Sequence, residues 1–301
     1  MTRGESGPGA VGHTPGSSVN SRESAGSTGS AGTAGSAAAD LTESLAAAKG
    51  GLPPAEPAGS VPASRPEHPD RYFLAGPHSR LREILLLGRA VRDFVNGFRV
   101  LHFVGPCVTV FGSARFPESH PYYAIARQLG RRVCQLGFTV MTGGGPGLME
   151  AANRGAQDVS GRSVGCNIEL PSEQAPNPYL DHYVTCHYFF VRKVLLFKYS
   201  YAFVGLPGGL GTLDELCEAL TLIQTGKIQN YPVVLIGTVY WQPFIALLRE
   251  MVEQGAIAAS DLNLLKVTDD IEEAVHHIEA HTVGSFGLRR VERPKWWLGE
   301  R

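Results

Sequence analysis

Between about residues 79 and 281, two hydrophobic patterns alternate along the chain. Short apolar runs at Cys107–Phe111, Phe138–Met141, Ser163–Ile168, Tyr183–Cys186, Tyr201–Leu206, Val233–Ile236 and Leu265–Val267 read as buried strands. The segments between them carry apolar residues at helical spacing. Pro121–Leu136 places Ile125, Leu129, Val133 and Leu136 on one face, and Leu148–Val159, Phe190–Tyr199, Trp241–Glu253 and Asp269–Glu279 read as further helices. Pro146 suits the first helical position of the second of these. A helix over 79–98 is expected to lay Leu81, Ile84, Leu85, Val91, Phe94, Val95 and Phe98 against the main domain. Strands alternating with amphipathic helices predict an α/β fold, a Rossmann-like three-layer arrangement with a parallel sheet and helices on both faces.

Three of the strands run directly into glycine-bearing turns: Gly112-Ser-Ala-Arg115, Gly143-Gly-Gly-Pro-Gly147 and Pro207-Gly-Gly-Leu-Gly211. In a parallel sheet all three lie on the carboxyl edge of the strands, where ligands bind. The third turn opens a helix with Leu213, Leu216, Cys217, Leu220 and Ile223 on one face. The first N–H groups of that helix have no partner within it, and together with the helix dipole they favour an anion. Thr212 can add a hydroxyl, and Glu215 stands about one turn in. Arg192 and Lys193 lie in the first turn of the preceding helix, where two cations oppose the dipole unless an anion or a carboxylate such as Glu215 answers them.

Composition adds boundaries. Residues 1–66 are Gly, Ser, Ala, Thr and Pro-rich and cannot bury enough apolar area to offset their ordering entropy, so they read as a disordered tail. The α/β domain is expected over 67–282, and 283–301 as a basic extension with Trp296 and Trp297. A net charge of -1 gives no reason to expect nucleic-acid binding. No apolar stretch is long enough to cross a bilayer, and the N-terminus shows no secretory signal pattern. The five cysteines form no C-x-x-C pair and read as small buried hydrophobes in a reducing, cytoplasmic setting, without a metal site. A P-loop is absent from the sequence, and the three glycine turns do not spell a G-x-G-x-x-G dinucleotide loop. No strand-to-helix nucleophile elbow is read, since Gly161-Arg-Ser-Val-Gly165 spells G-x-S-x-G but leads into the strand Ser163–Ile168. Nothing around Lys193, Lys198, Lys227 or Lys266 suggests a pyridoxal phosphate site.

Pro207-Gly-Gly-Leu-Gly-Thr-Leu-Asp-Glu215 resembles the P-G-G-x-G-T-x-x-E motif of the LOG family, the cytokinin riboside 5′-monophosphate phosphoribohydrolases once labelled "possible lysine decarboxylases". Gly143–Asn153 is similar to the family's other glycine motif, and Arg192-Lys193 to its R-K pair; the resemblance spans about residues 79 to 281. It implies hydrolysis of the N-glycosidic bond of a purine nucleoside 5′-monophosphate to free base and ribose 5-phosphate. It further implies a homodimer or larger assembly and no metal or organic cofactor. Arg192 and Glu215 would be catalytic. Lys193, Gly208, Gly209, Leu210, Gly211, Thr212, Leu213, Asp214 and Thr221 would bind substrate, with Gly112, Ser113, Gly144, Gly145 and Glu150 of the other loops. Asp214 and Glu150 are the candidates for protonating the leaving base. Tyr188-Phe-Phe-Val191, Pro146 and Glu150 depart from the plant pattern where a base could be contacted, so plain AMP is expected beside N6-modified forms. The alternative is a non-catalytic nucleotide-binding sensor on the same scaffold.

Overall fold

The computed structural model describes residues 76–77, 79–170, 175–229 and 231–286. The expected tail over 1–66, part of the proline-rich loop before β4, and the Trp296–Trp297 segment lie outside the described residues.

Seven parallel strands form one sheet: β1 (Cys107–Phe111), β2 (Thr139–Thr142), β3 (Ser163–Ile168), β4 (His182–Cys186), β5 (Ser200–Gly205), β6 (Val233–Ile236) and β7 (Leu265–Thr268). Their order is β4-β3-β2-β1-β5-β6-β7. The helices are α1 (Arg80–Leu101), α2 (Pro121–Gln135), α3 (Leu148–Gln157), α4 (Phe189–Tyr199), α5 (Leu210–Gln224), α6 (Thr238–Glu253) and α7 (Ile271–Phe286), with a 3-10 turn over Ala259–Leu264. The Rossmann-like three-layer α/β architecture is therefore present, and each strand read from the sequence exists within a residue or two. The last helix runs past Glu279 to Phe286, and Pro146 precedes the N-cap, Gly147.

Alternation along the strands sorts side chains to the two faces. Cys107, Phe111, Met141, Cys166, Phe203 and Leu235 point to a layer made by α1, α4, α5 and α6. Val108, Val110, Val140, Val204, Val234 and Ile236 point to a layer made by α2, α3 and α7. The strand order reverses direction between β1 and β5, since β2 lies on one side of β1 and β5 on the other. That switch leaves a crevice above the carboxyl ends of β1 and β5, flanked by two of the glycine turns.

Two expectations are corrected. The face of α1 expected to pack inward points largely outward: Leu81, Ile84, Leu85, Val91, Val95 and Phe98 are exposed, while Ala90, Asp93, Gly97 and Leu101 are buried. Close packing decides this. A Cβ on Gly97 would lie 2.4 Å from the Leu195 side chain, so the small residues, not the large ones, meet α4. Cys107, Cys166 and Cys186 are buried as expected, but Cys134 is half-buried and Cys217 is exposed on α5.

Candidate active site

The glycine turns interlock at the switch point. Ser113 N–H donates to Pro207 O at 2.9 Å, and Leu148 N–H donates to Ser113 O at 3.0 Å. Gly147 has a φ of +71°, and a Cβ there would meet Ser113 O at 2.4 Å. Only glycine admits that conformation and that approach without strain. A buried amide network supports the second turn from below. Thr142 Oγ1 accepts from Gly144 N–H and donates to Asn153 Oδ1, Asn153 donates to Ser163 Oγ, and Asn177 donates to Asn153 Oδ1 and to Gly145 O. Asn153 closes the quoted glycine motif and Asn177 lies in the loop before β4. The sequence reading gave neither a role, because a buried amide network joins residues that no spacing rule connects.

The third turn enters α5 with Gly209 as its N-cap, and no side chain caps the helix. The first turn carries no acidic residue. Thr212 is buried, and its hydroxyl occupies the space that a Cβ on Gly208 would fill, 2.1 Å away. The Tyr240 hydroxyl donates to Gly208 O from α6. Leu210 is exposed at the tip of the turn, whereas Leu213 packs partly into the core. Gly209 and Gly211 have open space where side chains would stand. The arrangement is a ready anion cradle made of backbone.

Thr212 and Glu215, three residues apart, share the buried face of α5. Glu215 meets Arg192 of α4, with Nη1 3.3 Å from Oε1. The guanidinium is fixed from three further sides. Its Nε donates to Cys166 O at 2.9 Å, and it lies 5.4 Å from the Phe111 ring centre in a cation–π contact. Gly143 makes room for it, since a Cβ there would stand 2.6 Å from Nη2. Glu215 is 1% exposed, and its Oε2 has no hydrogen-bond partner among the described residues. Burial pushes its carboxyl above the usual carboxylate range, with Arg192 and Lys193 pulling the other way.

Lys193 takes a different place. Its Nζ is 2.9 Å from Asp214 and 2.6 Å from Glu218, two carboxylates one turn apart on α5. Burial works against its charge, but those pairs raise its pKa above the ordinary lysine value. Asp214 is thus committed to Lys193. Glu150 accepts from the Tyr123 hydroxyl at 3.0 Å on the α2 side of the sheet, the opposite layer from Arg192. Neither candidate for protonating the base is joined to the Arg192–Glu215 pair. Thr221 sits nine residues beyond Thr212, about 13 Å along α5, and its hydroxyl donates back to Cys217 O. Of the other loop candidates, Gly112 packs against Leu148 and Leu206, Ser113 Oγ accepts from Arg115 N–H at 3.1 Å, and Gly144 N–H and Gly145 O are bonded to Thr142 and Asn177.

A family model described as "possible lysine decarboxylase" matches residues 149–278. A "cytokinin riboside 5′-monophosphate phosphoribohydrolase" from Rhodococcoides fascians is 30% identical over 177 residues, covering 58% of this chain and 89% of that protein. The "cytokinin riboside 5′-monophosphate phosphoribohydrolase LOG" of Oryza sativa subsp. japonica is 28% identical over 174 residues, covering 56% of this chain and 71% of its own length. Among solved structures, a molybdenum cofactor carrier protein from Chlamydomonas reinhardtii matches with a TM-score of 0.45 at 23% identity, over 59% of this chain and 98% of that one. By its matched sequence, and with the three motifs folded together at one crevice, this chain belongs to the LOG family.

Proposed function

We propose that the protein hydrolyses the N-glycosidic bond of a purine nucleoside 5′-monophosphate, giving free base and ribose 5-phosphate. The observation that carries this reading is the buried Glu215 carboxylate, held by Arg192 through one oxygen while the other has no partner among the described residues. Breaking the ribosyl C–N bond builds positive charge on the sugar. A fixed carboxylate beside that sugar stabilises the charge and orients the attacking water, whose hydroxyl goes to the anomeric carbon while a proton reaches the base. Arg192 keeps the carboxylate aimed, and the open backbone of Gly208–Gly211 with Thr212 holds the 5′-phosphate at the amino end of α5. Lys193 shapes the charge around Glu215 through Asp214 and Glu218. The printed activities of the R. fascians and rice relatives support the same reaction class. Both N6-modified AMP and plain AMP fall within the reading.

The reading includes a second copy of the chain. α1 leaves a long apolar face in solvent, and α4, packed against it, adds Phe189, Phe190 and Val194. Contiguous exposed apolar area of this kind marks an interaction surface. Ile84→Glu with Val91→Glu is expected to shift the mass seen by light scattering from dimer to monomer.

The decisive assay incubates the protein with AMP and with N6-isopentenyl-AMP and follows free base. Release of base from either supports the hydrolase. Nucleotide binding without any base release leaves the sensor reading in its place.

A further inference from the structure

The Gly208–Thr212 turn is held by a residue outside the glycine motif. β6 lies beside β5 in the sheet, so α6, which follows β6, starts on the same carboxyl edge as the turn that follows β5. The start of α6 is firmly docked. Asp269 Oδ1 accepts from Thr238 N–H at 2.8 Å, and Asp269 Oδ2 accepts from the Thr238 hydroxyl. Trp241 is 1% exposed, and its ring N–H donates to Ile236 O at 3.2 Å. Tyr240 comes between these two anchors in the chain. Its ring stands edge-on to Trp241 at 5.2 Å, and its hydroxyl donates to Gly208 O.

A trans peptide unit is planar, so its C=O and N–H point opposite ways. With Gly208 O turned to Tyr240, the N–H of Gly209, which belongs to the same peptide unit, is turned away from Tyr240. No acceptor among the described residues takes that N–H, although Gly209 is the N-cap of α5. Neither Gly208 nor Gly209 has a Cβ, so this peptide unit rotates more freely than others. A rotated unit would set a carbonyl oxygen where an anion needs a donor.

We propose that Tyr240 is a positioning residue for the anion cradle: its hydroxyl locks the Gly208–Gly209 peptide with the N–H toward a bound phosphate and the carbonyl away from it. The inference rests on the reading of the Gly208–Thr212 turn as the phosphate site. Tyr240 acts through the peptide and not through the Arg192–Glu215 pair. Its loss is therefore felt by ligands that carry the phosphate and not by those that lack it.

The test is Tyr240→Phe in the full chain. The ring stays beside Trp241 and only the hydroxyl goes, so the melting temperature is expected to be unchanged. kcat/KM for AMP should fall about fivefold to tenfold, the worth of one hydrogen bond, while kcat/KM for adenosine stays the same. An equal fall for both substrates would reduce Tyr240 to a general structural role, and an unchanged value for AMP would overturn the proposal outright. A second arm titrates inorganic phosphate into wild type and variant and follows the Gly209 amide by NMR. The midpoint should be raised by a similar factor in the variant; the same midpoint in both proteins, or no saturable shift in the wild type through the millimolar range, would overturn the proposal. Should the wild type release no base from either substrate, the hydrolase reading fails while the Gly209 titration still decides the role of Tyr240.

Discussion

The two helical layers of this protein are built on different terms. On the α2–α3–α7 side, backbones touch. A Cβ on Gly130 would meet Ala152 O at 2.1 Å, and one on Gly155 would meet Arg127 O at 1.9 Å. The charges of that layer form ion pairs nearer the solvent: Asp158 with Arg127 and Arg131, Arg132 with Glu272, and Arg154 with Glu118. On the α1–α4–α5–α6 side the distribution is inverted. Arg192, Glu215 and Asp93 are buried, while large apolar residues of α1 and α4 face solvent. Buried charge and exposed apolar area are the features that the proposed hydrolase site and the proposed dimer surface call for. On that reading, structure falls to one face of the sheet and chemistry to the other.

The largest test of that contrast is Glu215→Gln. It keeps the shape and removes the charge, and it is expected to lower kcat for base release by at least about a hundredfold while nucleotide binding survives. Near-normal turnover by the variant would move the chemistry off this face.

Next in size is the phosphate. If the Gly208–Thr212 turn grips it, adenosine should show a kcat/KM about a hundredfold or more below that of AMP, since two lost charge-assisted hydrogen bonds are worth roughly 1.5–3 kcal/mol each. Equal values for the two substrates would return the turn to a purely structural role.

The other layer is probed by Gly155→Ala. Helix propensity alone would favour alanine by about 1 kcal/mol. The new methyl would instead strike the Arg127 carbonyl, part of a helix backbone with little room to yield. The net expectation is destabilisation of about 1–3 kcal/mol in denaturant unfolding, with kcat per folded molecule unchanged. A more stable variant would show that α2 and α3 are not held at their closest approach.

What the sequence disclosed follows from what each signal depends on. Strand runs and glycine turns are local, and Cys107–Phe111, Val233–Ile236 and the three loops appear where period and turn chemistry put them. The pairing of Arg192 with Glu215 was also legible, because two cations in a first turn demand an answering charge and parallel topology brings α4 and α5 to the same edge. Orientation was less so. α1 offers more large apolar residues than one face can bury, and Gly97 against Leu195, a contact between distant segments, chooses the side. The partners of Asp214 and Glu150, and the Asp93–His187 contact across 94 residues, likewise depend on how elements pack.

The smallest expected effect sets two carboxylates, one on each face, against each other. Asp158 is held down to about 2, chiefly by its hydrogen bond from Arg127, with Arg131 adding to it against some burial. Its folded pKa lies below the unfolded value, so its contribution is present above the ordinary aspartate range and is lost as pH falls through about 2. Solvent screening limits the gain to about 1 kcal/mol or less, and added salt should shrink it. Asp158→Asn should therefore melt slightly below wild type at neutral pH, with the gap closing in acid. Glu215 has the opposite sign. Its folded pKa is raised, so its favourable contribution is complete below the unfolded value and lost as pH rises through the folded one. If the ionised carboxylate is the working form, kcat/KM should climb with pH through an acid limb above the ordinary glutamate value of 4.5. Paired melts and pH–rate profiles of wild type and Asp158→Asn read both signs together. An acid limb at or below 4.5, or a melting gap that widens in acid, would mean the buried and the surface carboxylate are not held in the opposed states that divide the two layers.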